Sequence, residues 1–200
     1  MTRSASTPRL RLTLFYFVAL VVAAAVCAPR LVGPPWLAGL RIGALLPVAL
    51  ACLGRIWCSV FIAGRKDTAI VDAGPYAVSR HPLYSLSFVG GLGLALATGS
   101  ITLVALTALV LAVLFGGAAR REERWLGGHH RDDWSRYAAA TRRWWPDFSK
   151  WSVPAAATVH PAVLWKAFVD AGAFILLYAL LLAAITLREA GVLPTLVHLP

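Results

Sequence analysis

Residues 73 to 84 read Ala-Gly-Pro-Tyr-Ala-Val-Ser-Arg-His-Pro-Leu-Tyr, so Tyr76, Arg80, His81 and Tyr84 fall within nine residues. A guanidinium, an imidazole and two phenols in so short a stretch can hold a polar or anionic ligand, and the imidazole can exchange a proton near neutral pH. Pro82 pushes His81 out of helical dihedrals, so the ring is expected on a fixed bend just before a helix. A second ionisable group follows downstream, Arg120-Arg121-Glu122-Glu123-Arg124. If the two groups meet, His81, Tyr84, Glu122 and Glu123 line one pocket. The competing reading is an interfacial salt-bridge network between Arg80, Arg121 and the glutamates.

What positions these groups is a set of apolar spans. Of 200 residues, 59% are hydrophobic and only 14% charged, with a mean hydropathy of +0.71. Such a chain is too apolar for an ordinary soluble domain, and it reads as an all-α polytopic membrane bundle of about five transmembrane helices under an interfacial cap. The expected spans are 12–28, 36–62, 83–98, 101–119 and 167–187, in a single membrane domain with the site region at 73–146. The first could be a cleaved signal peptide but reads better as a retained helix. The second holds Arg41, Pro47 and Arg55; Arg55 lies toward the focal loop and is a candidate contact for an anionic substrate group. Only Gly99-Ser100 separates the third and fourth, so they should form an antiparallel hairpin. Gly90, Gly91 and Gly93 would let the third pack closely on a neighbour, as small residues do in membranes.

Charge supplies the orientation. The N-terminal segment carries Arg3, Arg9 and Arg11, the second loop Arg65, Lys66 and Arg80, and the block from Arg120 to Lys166 nine more. The other side carries only Arg30 and Arg188. The positive-inside rule then places the N-terminus, the focal loop and the cap in the cytoplasm, as for a bacterial inner-membrane protein. The net charge of +10 is thereby a topological and lipid-facing feature, with no nucleic-acid partner implied.

Taken in order, Gly74-Pro75-Tyr76, Arg80-His81-Pro82-Leu83-Tyr84, Glu122-Glu123, Leu126, Trp134, Tyr137 and Arg143-Trp144-Trp145-Pro146 resemble the isoprenylcysteine carboxyl methyltransferase and phospholipid methyltransferase superfamily. The likeness covers about a third of the chain. It implies an integral-membrane enzyme that moves a methyl group from S-adenosylmethionine to a lipophilic or lipid-borne carboxylate, thiol or amine reaching it from the bilayer. It also implies that His81, Pro82, Tyr84, Glu122 and Glu123 bind the cofactor in a loop shaped by Tyr76, where Arg80 suits the cofactor's carboxylate, and Trp134, Tyr137 and Arg143 join Arg55 as candidate substrate contacts. Arg80 and His81 are the catalytic candidates, with no general base assigned. The chain departs from the family pattern at His130-Arg131 and Trp134, where acceptor recognition would lie.

Two other functions stay open on sequence: a membrane NADPH-dependent reductase of the sterol-reductase type, and a non-catalytic assembly subunit. No metal-ligand spacing is present, and Cys52 and Cys58 are too far apart along one helix for a disulfide. Asp170 is expected to pair with Lys166.

Overall fold

The computed structural model describes residues 6–30, 33–64, 69–156 and 158–200, with side chains from residue 11 onward except residue 34. Arg3, Arg65 and Lys66, and the Arg9 side chain, lie outside the described residues.

Seven α-helices and one pair of very short strands make up the described fold. They are α1 (Ser6–Val26), β1 (Cys27–Pro29), α2 (Pro34–Ile62), α3 (Pro75–Val78), α4 (Pro82–Leu96), α5 (Ile101–His129), α6 (Arg131–Ala140), α7 (Pro161–Glu189) and β2 (Val197–Leu199). Helices α2, α5 and α7 are long and apolar enough to cross a bilayer, while α1 and α4 contribute shorter apolar helices. This is an all-α membrane bundle, and the protein is an integral membrane protein.

Apolar side chains fill the space between the helices and also cover much of the outer surface. Phe17, Leu20 and Ala24 of α1, Val48 of α2, Leu94 of α4, Leu111 and Phe115 of α5, and Leu181 and Ile185 of α7 form the main core. Outward-facing leucines and valines such as Leu46, Leu109, Val113 and Leu176 are exposed, as lipid contact requires. Helix α4 packs most extensively on α2, and its glycines explain the fit. A Cβ on Gly90 would stand 2.5 Å from Ala51 Cβ, and one on Gly93 2.9 Å from Pro47. Gly90→Ala is therefore expected to destabilise the bundle by about 1–3 kcal/mol, the usual cost of overpacking, read as a lower unfolding midpoint in mixed micelles.

Asp170 accepts from Lys166 at 2.6 Å, as expected. Arg41 does not simply reach for an interface: it makes a two-pronged ion pair with Glu189 of α7, at 2.6 and 3.1 Å. Arg188, buried, caps the end of α1 by donating to the carbonyls of Ala24 and Cys27. The parallel pairing of Cys27 with Val197 and of Pro29 with Leu199 closes the same end.

Helix α5 corrects the expected span. Its apolar run stops at Ala119, but the helix continues to His129. Arg120 to Leu126 contains no Gly or Pro and is rich in good helix formers, so nothing stops the backbone where the lipid-facing character ends. Glu122 and Glu123 consequently sit on a rigid helix instead of a loop.

Candidate functional site

The focal loop is shaped by its punctuation. Gly74 adopts φ +58°, which favours glycine, and a Cβ there would stand 2.6 Å from the Phe61 ring. Pro75 then starts the one-turn helix α3. His81, at φ −126° and ψ 53°, is non-helical as Pro82 demands, and Pro82 occupies the first turn of α4, buried. The loop is sewn to the chain beyond α6 by backbone bonds: Gly74 N to Ser152 O, Arg80 N to Arg142 O, and Asp147 N to Val78 O, all between 2.8 and 3.0 Å. The two polar blocks do meet.

Glu123 is the hub. Its carboxylate takes His81 Nε2 at 3.0 Å, Arg80 Nη1 at 3.2 Å, and Arg143 through Nε at 3.0 Å and Nη2 at 2.5 Å. Arg80 also donates from Nε to Thr141 O at 2.9 Å, and its guanidinium lies 5.9 Å from the Trp134 ring. This combines parts of both sequence readings: an ion-pair network exists, and it fixes His81 and Arg80 in place.

Glu122 is different. Successive helical residues point about 100° apart, so it faces away from its neighbour. It accepts from the Tyr84 hydroxyl at 2.8 Å and stands 3.9 Å from His81 Nδ1. Its side chain is 38% exposed against 15% for Glu123, so it retains capacity for another donor. Tyr84 stacks between His81 and Phe115 at 5.5 and 5.7 Å, and Trp144 covers His81 at 5.5 Å.

Beside Glu122 opens a crevice lined by Tyr76, Arg80, His81, Glu122, Trp125, Trp134 and Tyr137, with Ile62, Val71 and Leu126 among its apolar walls. Its cavity volume is only about 60 Å³. A nucleoside-sized ligand must therefore part its walls. Tyr137 closes one side by donating to Tyr76 O at 2.8 Å. The Tyr76 hydroxyl is buried and finds no hydrogen-bond partner among the described residues, an unusual state for a phenol. Burial raises the pKa of both phenols, so both stay protonated.

Two assignments are refined. Arg55 does not line this crevice; it donates from α2 to Ser87 Oγ of α4 and lies 5.5 Å from the Phe174 ring of α7. Arg143 is committed to Glu123. Trp125, which the sequence motifs do not include, also lines the crevice; it follows Glu122 by three residues on one helix face, a spacing legible in the sequence.

Burial lowers the His81 pKa, against the opposing pull of the Glu123 hydrogen bond and the two glutamates. The ring is neutral at pH 7, and donation from Nε2 to Glu123 leaves Nδ1 with a lone pair toward Glu122. Because the folded pKa lies below the unfolded value, the unfolded chain binds the extra proton first as pH falls. The His81 contribution to stability is expected to be flat above about pH 6.5 and to decline below it, and His81→Gln should flatten that decline in a pH series of unfolding midpoints.

The family model described as phospholipid methyltransferase matches residues 48–133. The chain is 36% identical over 156 residues to the nickel-cobalt-cadmium resistance protein NccN of Alcaligenes xylosoxydans xylosoxydans, covering 78% of this chain and 73% of that protein. It is 34% identical over 155 residues to the cobalt-zinc-cadmium resistance protein CzcN of Cupriavidus metallidurans, covering 78% and 71%. No solved structure matches. The matched segment runs from the middle of α2 through α6's first turn and carries the Arg-His-Pro bend and both glutamates, so the chain belongs to the phospholipid methyltransferase family, within the superfamily of membrane methyltransferases that its motifs resemble.

Proposed function

We propose that the protein transfers a methyl group from S-adenosylmethionine to a lipophilic acceptor at the cytoplasmic face of a bacterial inner membrane. The observation that carries this reading is a crevice that presents the available face of Glu122 and is lined by Tyr76, whose buried hydroxyl has no partner among the described residues. A buried donor without a partner costs about 1–3 kcal/mol, and a bound ligand offering an acceptor would remove that cost. The residues fit the cofactor: Glu122 suits a ribose diol or an ammonium, Arg80 a carboxylate through the Nη2 that its bonds to Glu123 and Thr141 leave over, and Trp125, Trp134 and Leu126 an adenine face.

When bound, the cofactor's sulfonium supplies an electrophilic methyl group and leaves as a neutral thioether. The chain's own contribution is to align the acceptor and exclude water around a positive centre that is neutralised in the transition state. Pro82 and Glu123 fix the His81 ring, and Tyr84 holds the Glu122 carboxylate. For a thiol or amine acceptor, His81 Nδ1 is the atom available to take the proton. The cytoplasmic assignment is supported by the arginine distribution.

Tyr76→Phe separates ligand binding from folding. The unliganded variant should be as stable as the parent or more stable by up to about 1–3 kcal/mol, because an unsatisfied hydroxyl is removed. Its stabilisation by S-adenosylhomocysteine should shrink. A variant that instead loses stability without ligand and keeps the full ligand shift would place the hydroxyl in folding rather than binding. The reductase alternative predicts stabilisation by NADPH and none by S-adenosylhomocysteine.

A further inference from the structure

A second cavity, of about 590 Å³, adjoins the crevice and shares Arg80 and Trp134 with it. Five arginines line it, Arg80, Arg120, Arg121, Arg124 and Arg143, against the single carboxylate of Glu123. Arg80 and Arg143 are committed to that carboxylate. Among the described residues, Arg120, Arg121 and Arg124 are in no ion pair, and all three are exposed. The groove therefore carries an unneutralised excess of guanidinium beside the proposed reaction site.

Its position on α5 says what would fill it. At 100° per residue, Leu106, Leu109, Val113, Gly116, Arg120 and Arg124 fall on one face, opposite Glu122. Leu106, Leu109 and Val113 are 47%, 63% and 62% exposed on a membrane-spanning helix, so this face lies against acyl chains. The same stripe turns cationic at Arg120 without changing direction. Between the two halves Gly116 and Gly117 leave a notch: a Cβ on Gly117 would meet only Arg121 Nη1, at 3.5 Å, and one on Gly116 only Arg120 Nη2, at 4.0 Å. Apolar face, notch and arginine groove form one track from the bilayer to the wall of Arg80 and Trp134 that the groove shares with the crevice.

We infer that this track binds an amphiphile with a net-anionic head, a phosphate monoester or carboxylate, whose chain lies along α5 and whose head is gripped by Arg120, Arg121 and Arg124. Guanidinium pairs phosphate and carboxylate oxygens through two parallel bonds. A zwitterionic head would bring its ammonium among the same five guanidiniums and be disfavoured. As a statement about the acceptor, this rests on the methyltransferase reading; as a statement about a binding site it does not.

The test uses the full chain in neutral maltoside micelles, with thermal unfolding followed during titration with didecanoyl phosphatidic acid, didecanoyl phosphatidylcholine or inorganic phosphate, each with and without S-adenosylhomocysteine. Phosphatidic acid is expected to raise the midpoint, the other two not. The triple variant R120Q/R121Q/R124Q should weaken phosphatidic acid binding by about tenfold or more, and single Arg121→Gln by less, whereas the charge-matched R131Q/R136Q/R142Q should leave it within about twofold. An equal response to inorganic phosphate, an equal response to phosphatidylcholine, or an equal loss in the charge-matched variant would overturn the inference. Loss of the S-adenosylhomocysteine shift with the phosphatidic acid shift intact would defeat the methyltransferase reading and leave the groove standing; the reverse would defeat the groove alone.

Discussion

Glu123→Ala is expected to destabilise the protein by about 3–5 kcal/mol, the largest effect of any single substitution at the site, because it removes one carboxylate that serves three partners. Arg80 and Arg143 would be left as neighbouring cations without their shared anion, and His81 Nε2 would lose its acceptor. The network also ties the α3 loop to α5 and to the chain beyond α6, so the loss spreads to the backbone bonds between residues 74–80 and 142–152. Glu123→Gln keeps the shape and one acceptor oxygen and should fall between the two. The check is the unfolding midpoint of each variant in mixed micelles without ligand. A loss below about 1 kcal/mol for the alanine variant would mean that the network behaves as an exposed surface cluster.

Glu122→Gln should do the opposite. Among the described residues its carboxylate has only the Tyr84 hydroxyl at hydrogen-bond distance, and it is more than a third exposed, so unliganded stability is expected to change by less than about 1 kcal/mol. Facing the crevice, however, it is the carboxylate offered to a ligand, and a hydrogen bond to a charged group is worth about 1.5–3 kcal/mol. Affinity for S-adenosylhomocysteine should therefore drop by roughly 10- to 150-fold. Two adjacent glutamates that the sequence presents as an equivalent pair are thus expected to separate in experiment, one mainly through folding and one mainly through binding. Titration calorimetry and ligand-free unfolding on the same preparations read both quantities.

The apolar spans were legible because lipid exposure forces long hydrophobic runs, and the meeting of the Arg-His-Pro bend with the Glu-Glu pair was legible because a short connection makes α4 and α5 neighbours. The end of α5 was not, since loss of apolar character marks the membrane boundary and not the end of a helix. The strand pair between residues 27–29 and 197–199 was beyond reach as well: three residues give no alternation to read, and the partners lie at opposite ends of the chain. Arg55 was assigned by its side of the membrane, whereas its contacts depend on helix rotation, which turns it toward Ser87 and Phe174. The division between Glu122 and Glu123 needed that rotation too. It followed once α5 was known to continue through both residues.

Whether the crevice beside Glu122 holds S-adenosylmethionine is read from the thermal unfolding of the purified protein with S-adenosylhomocysteine, with NADPH and without ligand. A ligand at 100 times its dissociation constant adds about 2.7 kcal/mol. A raised midpoint is expected with S-adenosylhomocysteine alone, retained in R131Q/R136Q/R142Q and lost or strongly reduced in Glu122→Gln. A midpoint raised by NADPH alone, or raised equally by S-adenosylhomocysteine in the parent and in Glu122→Gln, would contradict it.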